Sequence, residues 1–244
     1  MDWVRKTVQL YFNYAYNPVY DFAIARMFGY RQWQQKCLGK LYFRDEDKVL
    51  CIGLGTGNEL RHIVRLNNRV NITGVDCSDT ALRKARRKAS QSGITITLLR
   101  MDASQLDFSD DSFDHVVCLH VMDFLDDHMH VAKEMLRVLK PGGHFVITFP
   151  CSKEGAAMGM ALVRENMRSN IEAGRNRLSV YLETAVQILA CLVYIPLLMR
   201  PKGKTYSANE LAVFMSRLTG ACLEIEEYPA YRDLIVYGQK RKEE

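Results

Sequence analysis

Residues 49–60 read VLCIGLGTGNEL, an apolar run that ends in Gly53, Gly55 and Gly57 and passes into a helical pattern. Glycines at such a strand-to-helix turn let the backbone bend tightly and approach a ligand, while the first N–H groups of the helix point at it. Alone the pattern is weak, because many strand-to-helix turns carry glycine. Its weight comes from the sequence on either side.

From Lys48 onward, short β-type runs alternate with helical patterns, the mark of a parallel sheet with crossover helices. Strands are predicted at Lys48–Ile52, Asn71–Val75, Thr95–Arg100, His115–Leu119, His144–Thr148, Cys222–Tyr228 and Leu234–Gln239. Helices are predicted over Glu59–Leu66, Ser78–Ser92, His130–Leu139 and Ala208–Leu218. The KPGG of residues 140–143 should stop the third of these and turn the chain into the next strand. Only PAYRD separates the last two strands, too little for a crossover helix, so an antiparallel hairpin at the sheet edge is expected.

The chain of 244 residues, 48% hydrophobic, is expected to form one domain with a sizeable core. Two parts fall outside the alternation: an aromatic-rich N-terminal cap, residues 1–45, and a largely helical insertion, residues 151–206. Both can cover the carboxyl ends of the strands, where open α/β sheets bind ligands, and are expected to form the lid. Seven scattered cysteines, with no Cys-x-x-Cys pair, suggest neither a disulfide framework nor a zinc site, and fit reduced thiols in a cytoplasmic protein. The N-terminus lacks the basic start and apolar core of a signal peptide.

About twenty residues beyond the glycine loop comes TGVDCS, in which Asp76, followed by Cys77, ends the second strand and can accept hydrogen bonds from both hydroxyls of a ribose. After the third strand, RMDASQLDF offers Asp102 and the Ala103 amide to an adenine edge. The fourth strand ends at Leu119 and His120. A nicotinamide site would need G-x-G-x-x-G, and residue 58 is Asn, so the pyrophosphate-binding fingerprint is not met.

These stretches, VLCIGLGTG, GVDCSDTALRKARRK, MDASQLDFSDDSFDHVV and EMLRVLKPGGHFVI, resemble in sequence and spacing the class I S-adenosylmethionine-dependent methyltransferases. The likeness is strong over residues 45–150 and looser over the last helix and hairpin. It implies a Rossmann-like, doubly wound α/β sheet of strand order 3-2-1-4-5-7-6, the seventh strand antiparallel, and S-adenosyl-L-methionine as cofactor. By the same resemblance Gly53, Gly55 and Gly57 line the methionine and ribose portion, Asp76 with Cys77 beside it meets the ribose, Asp102 and Ala103 border the adenine, and Leu119 and His120 lie near the methionine end. Tyr16, Tyr20 and Asp21 look similar to an entry segment whose tyrosine reaches the cofactor; packing of an aromatic stripe on the sheet is the plain alternative. Aromatic faces near a sulfonium are worth roughly 0.5–2 kcal/mol per ring.

The chain departs from the family at Cys51, where a carboxylate commonly orders the loop. Replacing Cys51 by Asp is expected to leave the fold intact. It departs again at residues 121–127, VMDFLDD, where related lipophile methyltransferases carry a His pair. His120 and Asp123 are the candidate catalytic residues. For His120 the readings are pocket lining, general base or structural residue; for Asp123, base, anchor for a cationic amine, or helix cap. His115 is expected to be packed and His128 to lie on a solvated loop.

The apolar run Ile188–Met199 is short of the roughly 20 residues of a membrane span. With basic residues on both sides, the segment 178–206 reads as a peripheral membrane contact or a lid over a greasy acceptor, with a core helix or homodimer interface as the alternative. The basic cluster from Arg83 to Lys88 reads most simply as a solvated helix face, and no nucleic-acid partner is expected. The expected function is methyl transfer to a small hydrophobic acceptor such as a quinone precursor, lipid amine or phenol; the alternative is a cofactor-binding subunit that has lost catalysis.

Overall fold

The computed structural model describes residues 7, 10–23, 28–151, 155–194, 204–219, 223–228 and 233–241. Seven strands, β1 (Lys48–Ile52), β2 (Asn71–Asp76), β3 (Ile96–Arg100), β4 (Phe113–Cys118), β5 (Leu139–Pro150), β6 (Leu223–Tyr228) and β7 (Asp233–Gln239), form one sheet of order β3-β2-β1-β4-β5-β7-β6. The β1, β2, β3, β4 and β5 pairings are parallel, and β7 runs antiparallel between β5 and β6. Central β1 is apolar and buried from Val49 on, as a strand covered on both faces must be.

The helices are α1 (Asn17–Ala23), entered through a π-turn at Phe12–Tyr16, α2 (Phe28–Leu38), α3 (Leu60–Leu66), α4 (Asp79–Gln91), α5 (His128–Val138), α6 (Gly155–Glu172), α7 (Arg177–Cys191) and α8 (Ala208–Thr219). Local chemistry sets their ends. Ser78 caps α4 by accepting from the Ala81 N–H, and Ala81, Leu82, Ala85 and Ala89 bury its apolar stripe. Asp127 caps α5 by accepting from the His130 N–H, and Val131, Ala132, Met135 and Leu136 face the core. One core cluster joins Trp33, Cys37 and Leu38 of α2 to β1; the other joins α5, α8 and the Tyr206 ring to β4 and β5.

Three expectations need correction. The KPGG segment does not separate helix from strand: α5 stops at Val138 and β5 starts at Leu139, because Gly142 N and Gly143 O already pair with Lys240. His128 is not on a solvated loop but buried as the first residue of α5, with Nδ1 3.1 Å from the Tyr206 hydroxyl and Nε2 3.1 Å from the Leu125 carbonyl. Within the basic run, Lys84 and Lys88 are not a free solvated face. Lys84 donates to the Asn17 and Pro18 carbonyls of α1, and Lys88 to Asp21, Thr56 and Asn58. Cys222 at the start of the predicted sixth strand, and residues 195–203 of the predicted insertion, lie outside the described residues.

Candidate cofactor and methyl-acceptor site

Parallel register brings the strand ends together. Ile52 pairs with Val75 on one side and Cys118 on the other, and Asp76 pairs with Arg100, so the loops after β1, β2, β3 and β4 are neighbours at one edge. Gly53, Gly55 and Gly57 all take positive φ. At Gly53 (φ 63°) a Cβ would meet Val121 Cγ2 at 2.2 Å, so the turn after β4 sits directly on the loop. At Gly55 a Cβ would meet nothing nearer than the Gly53 carbonyl at 3.8 Å, which leaves its backbone facing open space. Leu54 is pinned by its N–H to the Val75 carbonyl at 3.0 Å and lies over Gly74, where a Cβ would meet it at 2.4 Å.

Asp76 ties this loop to the next. Its Oδ2 accepts from the Gly55 N–H at 2.8 Å and its Oδ1 from the Ser78 N–H at 2.8 Å. Burial raises its carboxyl above the usual range, and those two hydrogen bonds work against the rise. Cys77 beside it is pushed up to about 11 by desolvation and by the charges of Asp76 and Asp102, so the two carboxylates flank one small region. Asp102 is exposed and closes its own turn, accepting from the Ser104 N–H and hydroxyl, with Ala103 half-buried beside it. Arg137 and Glu134 of α5 hold that loop, through the Leu106 and Phe108 carbonyls and the Leu106 N–H.

The N-terminal segment closes over the loops. Asn13 and Asn17 hydrogen-bond the Ser78 hydroxyl, and Asp21 accepts from Thr56, Asn58 and Lys88. Burial opposes charge on Asp21, yet those hydrogen bonds hold its carboxyl below the usual range. Tyr16 stacks on Tyr20 at 5.2 Å, the Tyr20 hydroxyl donates to that of Tyr30 at 2.6 Å, and the rings continue through Trp33 to His120, 4.1 Å apart edge-on. Phe12 meets Phe124 at 5.5 Å, closing the wall on the other side.

His120 follows Leu119 just after β4 in the left-handed region, φ 57°, where a bulky side chain is disfavoured by about 1–2 kcal/mol. Its N–H donates to the Thr148 hydroxyl at 2.8 Å, and its Nε2 lies 2.8 Å from Oδ2 of buried Asp233, the first residue of β7. By distance this is an ion-pair contact, and it sets the His120 ring beside a buried carboxylate. Asp123 lies half-buried in the short turn Met122–Phe124; it does not cap α5, a role that Asp127 fills.

Two residues escaped the sequence reading. Asp233 was visible in PAYRD: an antiparallel strand beside β5 must begin at the edge where the parallel strands end. Glu59, two residues past the last loop glycine, is 7% exposed; burial pushes its carboxyl up to about 7, with Asp76 adding and Lys88 opposing. Burial raises the thiols of Cys51 and Cys118, and the Glu59 carboxylate adds to the rise. The acid missing at Cys51 has a neighbour supplied from the start of α3.

Residues 50–147 match the family described as "Methyltransferase domain". The chain is similar to a phosphatidylethanolamine N-methyltransferase of Cereibacter sphaeroides, 36% identical over 48% of this chain and 59% of that protein. It is also similar to the ubiquinone/menaquinone biosynthesis C-methyltransferase of Geotalea daltonii, 31% identical over 53% of this chain and 57% of that protein. The chain thus spans a little over half the length of these relatives. Among solved structures, a SAM-dependent methyltransferase from Aquifex aeolicus shares the fold, with a TM-score of 0.54 at 17% identity over 84% of this chain and 88% of that one.

Proposed function

We propose that the chain is an S-adenosylmethionine-dependent methyltransferase that methylates a small hydrophobic acceptor, with His120 as general base held by Asp233, a reading that the match of residues 50–147 to the methyltransferase domain supports. The observation that carries this reading is the strained His120, paired to a buried carboxylate where the β4 turn rests on Gly53. Backbone strain of this kind persists only where the surroundings enforce it, and it collects at functional sites.

The residues present fit the cofactor. The open backbone of Gly55 admits close approach, and Asp76, whose oxygens each keep a lone pair beyond the N–H they accept, would take the ribose hydroxyls. Cys77, Asp102 and Ala103 would border the adenine, and Gly53, Gly57, Leu119 and His120 the methionine end. Tyr16 and Tyr20 would give that end an aromatic wall. When bound, S-adenosyl-L-methionine supplies a sulfonium methyl that an acceptor lone pair takes by in-line displacement.

The chain's own work is then positioning, exclusion of water and one proton transfer. Asp233 would hold the His120 ring in place, and a ring nitrogen of His120 would take the proton of a phenol, enol or ammonium acceptor. Asp123, half-buried in the turn after β4, would anchor a cationic amine acceptor. The two relatives, named for a lipid amine and a quinone, support a lipophilic acceptor class.

The test is kinetic. Against any acceptor that the wild type labels, His120→Ala and Asp233→Asn should lower kcat on the order of a hundredfold or more. Binding of S-adenosylhomocysteine, read by calorimetry, should change little in Asp233→Asn. Unaltered kcat in both variants would refute the base, leaving positioning alone to account for catalysis.

A further inference from the structure

Helix α7 is built inside out. Its buried face is Val180, Thr184 and Gln187, the last two only 7% and 8% exposed, and the Asn166 side-chain amide of α6 donates to Gln187 Oε1 at 3.3 Å. Its outer face carries Leu178, Leu182 and Leu189, 67%, 61% and 66% exposed, together with Tyr181, Val186 and Leu192 just past its end. At 100° per residue these side chains, with Ile188, sweep about 160° of the helix, and no charged residue falls within that arc. A helix packed only on its own domain would be turned the other way, and a patch of this kind on a folded chain marks a contact surface.

Charge selects the occupant. Residues 164–204 contain seven Arg and Lys against three Glu, a net of four positive charges, with Arg168 paired to Glu172 and Arg175 to Glu183. Arg177 borders the apolar arc at the start of α7, and exposed Arg164 and Arg168 lie on α6, which packs against it. A second copy docking on this face would set the same basic rim against itself, whereas an anionic lipid surface meets both the apolar arc and the rim. We infer that the outer face of α7 docks on the surface of an anionic bilayer.

Its place in the fold gives this contact a use. α7 packs on α1, and the Tyr11 hydroxyl donates to the Val193 carbonyl at 2.8 Å, with Leu10 and Tyr14 exposed on either side of Tyr11 in sequence. α1 in turn holds the cofactor loops through Asn17 and Asp21. One helical layer therefore separates the docking face from the site. That an acceptor passes from the bilayer to His120 without crossing water rests on the proposed lipophilic substrate; the docking itself does not.

Sedimentation of the full chain with vesicles of phosphatidylcholine alone, or of phosphatidylcholine with phosphatidylserine, tests it. The wild type should pellet with the anionic vesicles, and Leu182→Asp/Leu189→Asp should lose at least tenfold in partition on them. Arg177→Glu should lose on the order of tenfold on anionic vesicles and little on neutral ones. Calorimetry with S-adenosylhomocysteine reports on folding and separates the two claims: a protein that binds it but ignores vesicles overturns the docking alone, and one that binds vesicles but not S-adenosylhomocysteine keeps the docking and overturns the site. Undiminished partition of the double Asp variant, or a wild-type dimer that ignores vesicles and becomes monomeric in that variant, also overturns the inference.

Discussion

At Cys51 a single thiol stands where the family commonly keeps an acid, and its surroundings change what a substitution there should do. The thiol is fully buried and close to the buried carboxyl of Glu59. Introducing Asp at 51 would place two carboxyls in one dry site, so the tolerance expected from sequence gives way to a coupled prediction. Cys51→Asp alone should destabilise the fold by about 3 kcal/mol or more, in the range for an uncompensated buried charge, and Cys51→Asp/Glu59→Gln should recover most of that loss in urea unfolding. Glu59 also sets a pH dependence. Its folded value of about 7 stands above the ordinary 4.5, so the folded state holds the proton more tightly and stability falls as pH rises between the two. Glu59→Gln should flatten that slope and gain roughly 3 kcal/mol at pH 8 relative to the wild type, taking 1.36 kcal/mol per unit; an unchanged slope would show that the carboxyl is not buried as described. The loop glycines and Asp76 were legible because each residue type answers a backbone or hydrogen-bonding need at a fixed distance from a strand. Asp233 was not singled out, since its partner His120 is remote in sequence and only the antiparallel placement of β7 joins them.

At the scale of elements, the strands were the most legible feature, because sheet burial on both faces leaves apolar runs that end at turns. Their order came with the resemblance, and the pairings agree with it. The N-terminal segment was harder: the readings were an entry segment reaching the cofactor or a packed aromatic stripe, and beside its ring contacts it has polar anchors remote in sequence, Asn13 and Asn17 on Ser78, Asp21 on Thr56 and Lys88. For the same reason the partners of Lys84 and Lys88 in α4 were not legible, since charge spacing on a helix does not disclose a carboxylate on another element, whereas Arg83, Arg86 and Arg87 are exposed as expected. The Asp21 knot ties the cap to the glycine loop of the proposed cofactor site. Asp21→Asn should weaken S-adenosylhomocysteine binding about tenfold, the equivalent of one charged hydrogen bond, while the core of the sheet keeps its hydrogen-exchange protection. Equal affinity in wild type and Asp21→Asn would separate cap from cofactor. The low carboxyl value of Asp21 means that its contribution is present above the ordinary 3.8 and is lost only as pH falls below it.

Over the whole molecule, the sheet gathers four loops at one edge, the N-terminal cap closes them, and α7 turns its apolar face outward beside the cap. Among the described residues no helix is long and apolar enough to cross a membrane. The acceptor itself is not written in the fold, because methyl transfer asks mainly for the positioning of nucleophile and methyl. The most direct measurement is mass spectrometry of a quinone- and lipid-containing extract incubated with the protein and deuterated-methyl S-adenosylmethionine. The wild type should place the labelled methyl on an extracted lipophile and His120→Ala should not; an extract left unlabelled by a wild type that binds the cofactor would contradict the enzymatic reading.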